Sequence, residues 1–331
     1  MHTRLTEMLA IDHPVMLAGM GGVSYHRLVT AVSAAGGFGC LGASTMGNSE
    51  LEREMAAVRR QTDRPFGVDL LTAAPQDMHA KVEAIIAGGA SAFVAGLGVP
   101  AEVIEQCHEG GLVVVNLCGK VHHAVAAVEA GCDVVVAQGT EAGGHTGQIA
   151  TMALLPQIVD SVGAHVPVVG AGGIYDGRGL AAALSLGADG VWVGTRFIAT
   201  PEARAVAGYK ERILASSETA TVVTRAYTGK TCRVLRTTYA EDFERAGQPP
   251  EPFPGQVVRS MSDGANHLGG DETTEGVDPD REFMPAGQVV GGIQALEPAG
   301  ELVTRFVAEA ELALSTASAA VGRCPRSTNS D

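Results

Sequence analysis

Two glycine-rich segments and one histidine offer most of the chemistry in this chain. Gly170-Ala171-Gly172-Gly173 and Gly194-Thr195-Arg196 each follow a short apolar run. Glycines at such places let backbone N–H groups approach an anion, and a following helix adds the positive end of its dipole. Asp176-Gly177-Arg178-Gly179 reads as that helix start. Either segment alone could simply turn the chain. Both together, at the ends of neighbouring strands, favour a phosphate group. Between residues 138 and 147 lies Gln138-Gly139-Thr140-Glu141-Ala142-Gly143-Gly144-His145-Thr146-Gly147. An imidazole beside an anion site can take or give a proton near neutrality, although a loop histidine can also just satisfy carbonyls. Ala18-Gly19-Met20-Gly21-Gly22 could lie flat on an apolar ring, with Met20 as a soft filler. Asp69, Asn116, Cys118 and Lys120 end two further runs and could line the same pocket. His122 and His123 begin a helix and read as structural or solvent-facing, and His13 falls before the first run. No Ser-His-Asp order, paired carboxylates or metal-ligand cluster stands out.

The elements that would hold these residues repeat regularly. Apolar runs occur at 14–20, 38–44, 65–71, 92–98, 112–118, 133–139, 166–173 and 190–197. They are nearly continuous rather than alternating, as in parallel strands buried on both faces. Amphipathic segments separate them, several ending in Gly as helix C-caps do. Eight strand–helix units predict a (β/α)₈ TIM barrel, whose chemistry sits on the loops after the strands. A doubly wound open sheet is the alternative. The spacing further predicts a helix over ARAVAGYKERILAS, mixed or irregular structure over TATVVTRAYTGKTCRVLRTTYA, and a partly mobile lid or substrate region over 241–283. It also predicts a final helix over 301–320, striped by Leu302, Phe306, Ala310 and Leu314, and a frayed CPRSTNSD end. The expected division is a barrel over 1–215, a smaller lid or substrate domain over 216–297, and a helix over 298–322 that returns to the barrel.

Composition narrows the function classes. A hydrophobic content of 46% over 331 residues supports a large core. Aromatics make up only 4%, and the formal net charge is −14. Both disfavour nucleic acid and anionic membranes as partners. The six cysteines form no CxxC pair, so a reducing compartment is expected. With no signal-peptide core and no long apolar span, the expected location is the cytoplasm. A small-molecule substrate and a monomer or homodimer complete the expectation.

The segments HPVMLAGM, RPFGVDL, AQGTEAGGHTG, VPVVGAGGIYDGRGLAAALSLGADGVWVGTRF and MPAGQVVGGI resemble the nitronate monooxygenase family, formerly 2-nitropropane dioxygenases. They are also similar to its relatives, the FMN-dependent enoyl-ACP reductases. The likeness runs from about Leu5 to Ala320. It implies an FMN barrel with a small lid. By the resemblance, Gly19, Met20, Gln138 and Gly139 meet the flavin, and Gly143 and Gly144, in the loop that carries the catalytic His145, also bind the cofactor. Gly172, Gly173, Gly194 and Thr195 take the phosphate, while Gly287-Gln288 returns near the cofactor. The family pattern PFGVN becomes PFGVD here, putting Asp69 where an amide usually contacts the flavin. An ionised Asp69 would disfavour an anionic nitronate, so the resemblance implies an Asp69 that is protonated or paired, or a different substrate. Three functions follow, in this order: oxidation of alkyl nitronates by O₂ to carbonyl compounds and nitrite; NAD(P)H-dependent reduction of an enoyl-thioester or quinone; and a non-catalytic FMN-binding barrel, against which the intact GGH loop argues.

Overall fold

The eight strand runs are nearly all apolar for a reason visible in the closed sheet, the polar exceptions Asp69, Asn116 and Gln138 lying toward their C-terminal ends. In the computed structural model, which describes residues 1–322, the strands are β1 (Val15–Leu17), β2 (Gly39–Gly42), β3 (Phe66–Leu71), β4 (Ala92–Gly96), β5 (Val113–Cys118), β6 (Val134–Gln138), β8 (Val168–Ala171) and β9 (Gly190–Val193). A two-residue strand, β7 (Gly144–His145), lies outside this set. The order β1-β9-β8-β6-β5-β4-β3-β2 is parallel throughout. A parallel bridge between Met16 and Phe38 closes β1 onto β2. The Leu17 N–H donates to Phe38 O at 2.8 Å, and the Phe38 N–H donates to Val15 O at 2.9 Å. The fold is therefore the expected (β/α)₈ barrel, not an open sheet.

Alternate residues of one strand serve two cores. Val134 and Val136 point into the barrel with Met16, Phe38, Val94, Val115, Val169 and Trp192. Val135 and Ala137 face the surrounding helices. That is why no polar alternation appears in the sequence. The first helix, Arg4–Leu9, was not anticipated. It starts with a capping box between Thr3 and Thr6 and stoppers the barrel floor with Leu5 and Leu9. Arg4 clamps it there through two hydrogen bonds to Asp189, at 2.9 and 2.7 Å.

Beyond the barrel the chain departs from expectation in two places. The predicted helix over ARAVAGYKERILAS shortens to Tyr209–Leu214. Gly208 precedes it at φ +80°, and Ala203, Ala205 and Val206 are buried in irregular chain instead. The segment read as irregular is an antiparallel hairpin, β10 (Thr221–Thr224) and β11 (Cys232–Leu235). β7, from the barrel loop after β6, adds to the edge of β11 with His145 opposite Cys232. Helices Thr238–Ala246 and Gly255–Ser262 occupy part of the stretch expected to be mobile. A separate small core of Ala226, Tyr227, Cys232, Val234, Ala240, Ala265 and Phe283 supports this lid.

The last helix, Ala299–Gly322, packs on helices Gly177–Ser185 and His26–Ala34, as its stripe predicted. Leu302, Phe306 and Ala310 are fully buried, and Leu314 is partly buried against the same core. Phe306 stacks on Phe197 with centroids 6.5 Å apart. Phe306→Ala should cost about 3–5 kcal/mol by leaving a cavity, read as a lowered thermal midpoint at unchanged cofactor content. No loss of stability would mean the helix contributes little to the barrel. The CPRSTNSD segment lies outside the described residues, apart from the helix end before it.

Candidate active site

The barrel mouth and the lid enclose a cavity of about 850 Å³. That is near the top of the roughly 300–1,000 Å³ usual for ligand pockets. Gly19, Met20, Asp69, Gln138, Gly143, Gly144, His145, Gly172, Gly173, Gly194 and Thr195 all line it, as do Asn116, Cys118 and Lys120. Two sequence candidates do not. Gly139 sits beneath the lining, where a Cβ would collide with Thr151. The Gln288 side chain is exposed, while its N–H donates to Glu141 O at 2.9 Å and its neighbours Gly287 and Val289 face the cavity. His123, read as structural or solvent-facing, proves to be an exposed residue on the cavity rim.

The ends of β8 and β9 form an anion cradle. Gly172 and Gly173 take φ +92° and +74°, the left-handed conformation that favours glycine. Among the described residues, no carbonyl or side chain accepts from the N–H groups of Gly172, Gly173, Gly194 or Thr195. Such donors at the barrel's usual phosphate position suit a phosphate monoester. The Thr195 hydroxyl accepts from the Gly287 N–H at 2.9 Å, which brings the late MPAGQ segment home. Glu141 stands close by, but its carboxylate already accepts from the Thr151 N–H and hydroxyl, at 3.0 and 2.9 Å.

Asp69, in the second half of β3, lines the cavity and is 5% exposed. Gly19 packs so closely on it that a Cβ there would collide with the Asp69 side chain. Among the described residues no hydrogen-bond or ion-pair partner meets its carboxyl, and burial pushes its pKa well above the usual carboxylate range. Of the possibilities raised by the sequence, the structure shows no ion pair, and burial favours the protonated acid.

His145 is held from three sides. The Gln138 amide donates to its backbone carbonyl at 2.6 Å. Its Nε2 lies 3.0 Å from the Thr228 hydroxyl. Phe253 stands edge-on with centroids 6.4 Å apart. Burial first, and the Lys230 ammonium second, push the imidazole pKa down to about 4. The ring is therefore neutral at pH 7, and Nδ1 has no partner among the described residues, which leaves it for a ligand. Thr228, Lys230 and Phe253 were missed from the sequence. They sit more than eighty residues downstream, Thr228 and Lys230 in the segment read as mixed or irregular and brought in by the β7–β11 pairing, Phe253 in the stretch expected to be a partly mobile lid.

A closed barrel with open N–H donors at two strand ends, a neutral imidazole and a buried carboxyl around one cavity suits a cofactor and its chemistry. Comparison with known proteins makes the class specific. The family model for nitronate monooxygenase matches residues 2–86 and 73–309. The chain is 37% identical to the (3aS,4S,5R,7aS)-5-hydroxy-7a-methyl-1-oxo-octahydro-1H-indene-4-carboxyl-CoA dehydrogenase of Mycobacterium tuberculosis, over 97% of this chain and 99% of that one. It is 33% identical to a probable nitronate monooxygenase of Staphylococcus haemolyticus, over 82% and 89% of the two chains. Among solved structures, FabK from Thermotoga maritima superposes with a TM-score of 0.86 at 33% identity, covering 97% and 99%. Nitroalkane oxidase from Streptomyces ansochromogenes gives 0.79 at 29%, covering 95% and 99%. The chain belongs to the nitronate monooxygenase family. It is an enzyme, an oxidoreductase of the flavin-dependent kind. Among the described residues, no helix is long and apolar enough to cross a membrane, and no cluster of His, Cys, Asp and Glu could hold a metal ion.

Proposed function

We propose that this protein is an FMN-dependent oxidoreductase of acyl thioesters, acting on the bond between the α- and β-carbons, with NAD(P)H or NAD(P)⁺ as its electron partner. The reductase alternative of the sequence reading thus takes precedence over nitronate oxidation. The observation that carries it is the reach of the cavity. It runs from the phosphate cradle past Asp69 and His145 to Phe253 and Val257 on the lid. FMN would take the stretch from the cradle to Asp69, and the part that continues past His145 to Phe253 and Val257 offers room for an acyl chain. The near whole-chain likeness to a carboxyl-CoA dehydrogenase supports the same class.

The residues present fit FMN. Gly172, Gly173, Gly194 and Thr195 would hold its phosphate, and Gly19, Met20 and Asp69 would meet its ring. Bound there, FMN supplies two-electron redox chemistry. The rest falls to the chain. His145, neutral and fixed by Gln138 and Thr228, takes the α-proton of the thioester in one direction and returns it in the other. The neutral Asp69 adds no negative charge where an anion would develop. The lid residues Phe253 and Val257 exclude water from the reacting carbons.

A second reading, oxidation of alkyl nitronates by O₂, draws on the family model and on the same neutral His145. Anaerobic mixing separates the two. FMN-loaded protein is exposed separately to propionate 3-nitronate, NADH and NADPH, and then to an enoyl-CoA, while the visible flavin absorbance is followed. Bleaching by a nicotinamide nucleotide and recovery with the enoyl-CoA is the expected result. Rapid bleaching by the nitronate, with the thioester inert, would give the second reading its place. A protein that cannot be loaded with FMN would end both.

A further inference from the structure

We propose that the lid-side rim of the cavity is a binding site for the anionic, pyrophosphate-bearing tail of a nucleotide ligand, held by Lys120, Arg225 and Lys230 beside Phe253. This deepens the thioester reading and rests on it for the identity of the reacting group. The shared chemistry has two sources, the coenzyme A moiety of a thioester and the dinucleotide of NAD(P)H.

The sign of the rim is the first observation. In a chain of net charge −14, a cationic rim is the exception rather than the background. Three carboxyl groups line the cavity, and none of them pairs with a rim cation. Burial disfavours the charged form of Asp69, Glu141 accepts from Thr151 near the cradle, and Glu282 is 1% exposed and bonded to His267 at 2.6 Å. Lys120, Arg225 and Lys230 also line the cavity, and among the described residues none of them forms an ion pair. Clefts lined by one sign of charge concentrate ligands of the other sign.

Contiguity is the second observation. The Arg225 Nε–H donates to Gly229 O at 2.9 Å, which sets the guanidinium beside Lys230. The Lys230 Nζ lies 5.5 Å from the centre of the Phe253 ring. From there the Thr231 carbonyl accepts from the Thr146 N–H at 3.2 Å, and Gly147 packs against Gly119, the neighbour of Lys120. The cations thus flank the short strand that carries His145, on both sides. Neighbouring imidazoles feel the field. Lys230 helps to lower His145, and after burial His122 and Lys120 lower His123. A nucleotide tail anchored on this arc would leave its reactive end pointing down the cavity toward His145.

The test measures binding to the FMN-loaded protein, without turnover. Free coenzyme A, NADH and, as a phosphate-free control, pantetheine are titrated against the wild type, the double variant Lys120→Gln/Arg225→Gln, and Lys230→Met. Bound FMN reports that each variant is folded, and the double variant keeps the test alive if Lys230→Met loses it. We expect the wild-type affinity for coenzyme A or NADH to fall with salt, and the double variant to weaken it by about tenfold, or roughly two- to fivefold per charge. Pantetheine should be unaffected. Loss for coenzyme A identifies the thioester's tail, and loss for NADH identifies the dinucleotide. Wild-type affinity in both variants, insensitivity to salt, or no binding of either nucleotide would overturn the site. An N-acetylcysteamine enoyl-thioester, which lacks the phosphates, tests the chemistry separately. Its turnover alongside unchanged nucleotide affinities would remove the arc and keep the thioester reading. Its inertness alongside a variant effect on NADH would do the reverse.

Discussion

Replacing His145 by Gln or Ala should lower turnover by about 10²–10⁴-fold, the usual contribution of a positioned acid–base group, while FMN stays bound. The phosphate cradle lies on β8 and β9, and His145 lies on β7 against the lid, so the two losses are separable. Flavin content and turnover per flavin are the paired measurements. Unchanged turnover per flavin, with flavin lost, would make His145 a structural residue. The pH dependence adds an independent check. Burial and Lys230 depress the imidazole from its usual 6.5 to about 4. The neutral, proton-accepting form then persists across pH 5–8, and kcat/KM should show no imidazole limb near 6.5. The linked stability has the sign of a depressed histidine. Its contribution is fully present above the unfolded value and is lost as pH falls toward the folded one. A clear limb at the ordinary imidazole pKa would mean that the cavity is wetter than its geometry indicates.

Gly172→Ala should strip the enzyme of most of its cofactor affinity. At φ +92° an L-residue pays about 1–2 kcal/mol for the left-handed backbone. The added Cβ would also lie 2.9 Å from the Thr151 hydroxyl, 3.0 Å from Gly139 O and 3.2 Å from the Ala142 N–H. None of these can retreat easily. The Thr151 hydroxyl lies within hydrogen-bond distance of Glu141, Ala171 and Gly172, and Ala142 N–H donates to Gly139 O at 3.2 Å. The loop must therefore shift and carry its open N–H donors away from the phosphate. At 1.4 kcal/mol per decade, the Kd for FMN should rise at least about tenfold. Titration of the apoprotein with FMN, followed by fluorescence quenching, reads it directly. An unchanged Kd would mean that the phosphate binds elsewhere.

The same residues show how much of the molecule is legible in the chain. Eight nearly continuous apolar runs, each followed by a helical period and several by a capping glycine, make parallel strands legible, because a strand buried on both faces is mostly apolar; closure into a barrel over an open sheet is decided by the bridge between β1 and β2. That the two glycine-rich strand ends and His145 would meet in one cavity was legible for a related reason. Each follows its own strand directly, so local spacing carries the information. The carboxyl in PFGVD could be seen, but its state could not. Only the structure shows that Asp69 is buried without a partner among the described residues, and that burial raises its pKa. The lid was opaque. Its strands are four residues long, and one edge is supplied by a two-residue strand from the barrel loop more than seventy-five residues upstream. No periodicity within β10 or β11 announces that partner, because strand pairing across such a gap is decided by which edges meet in space. That pairing brings Thr228 to the His145 ring, Phe253 packs edge-on from the following stretch with Lys230 over it, and so it was tertiary structure that set a glycine-flanked histidine, neutral at pH 7, in a long, cation-rimmed cavity.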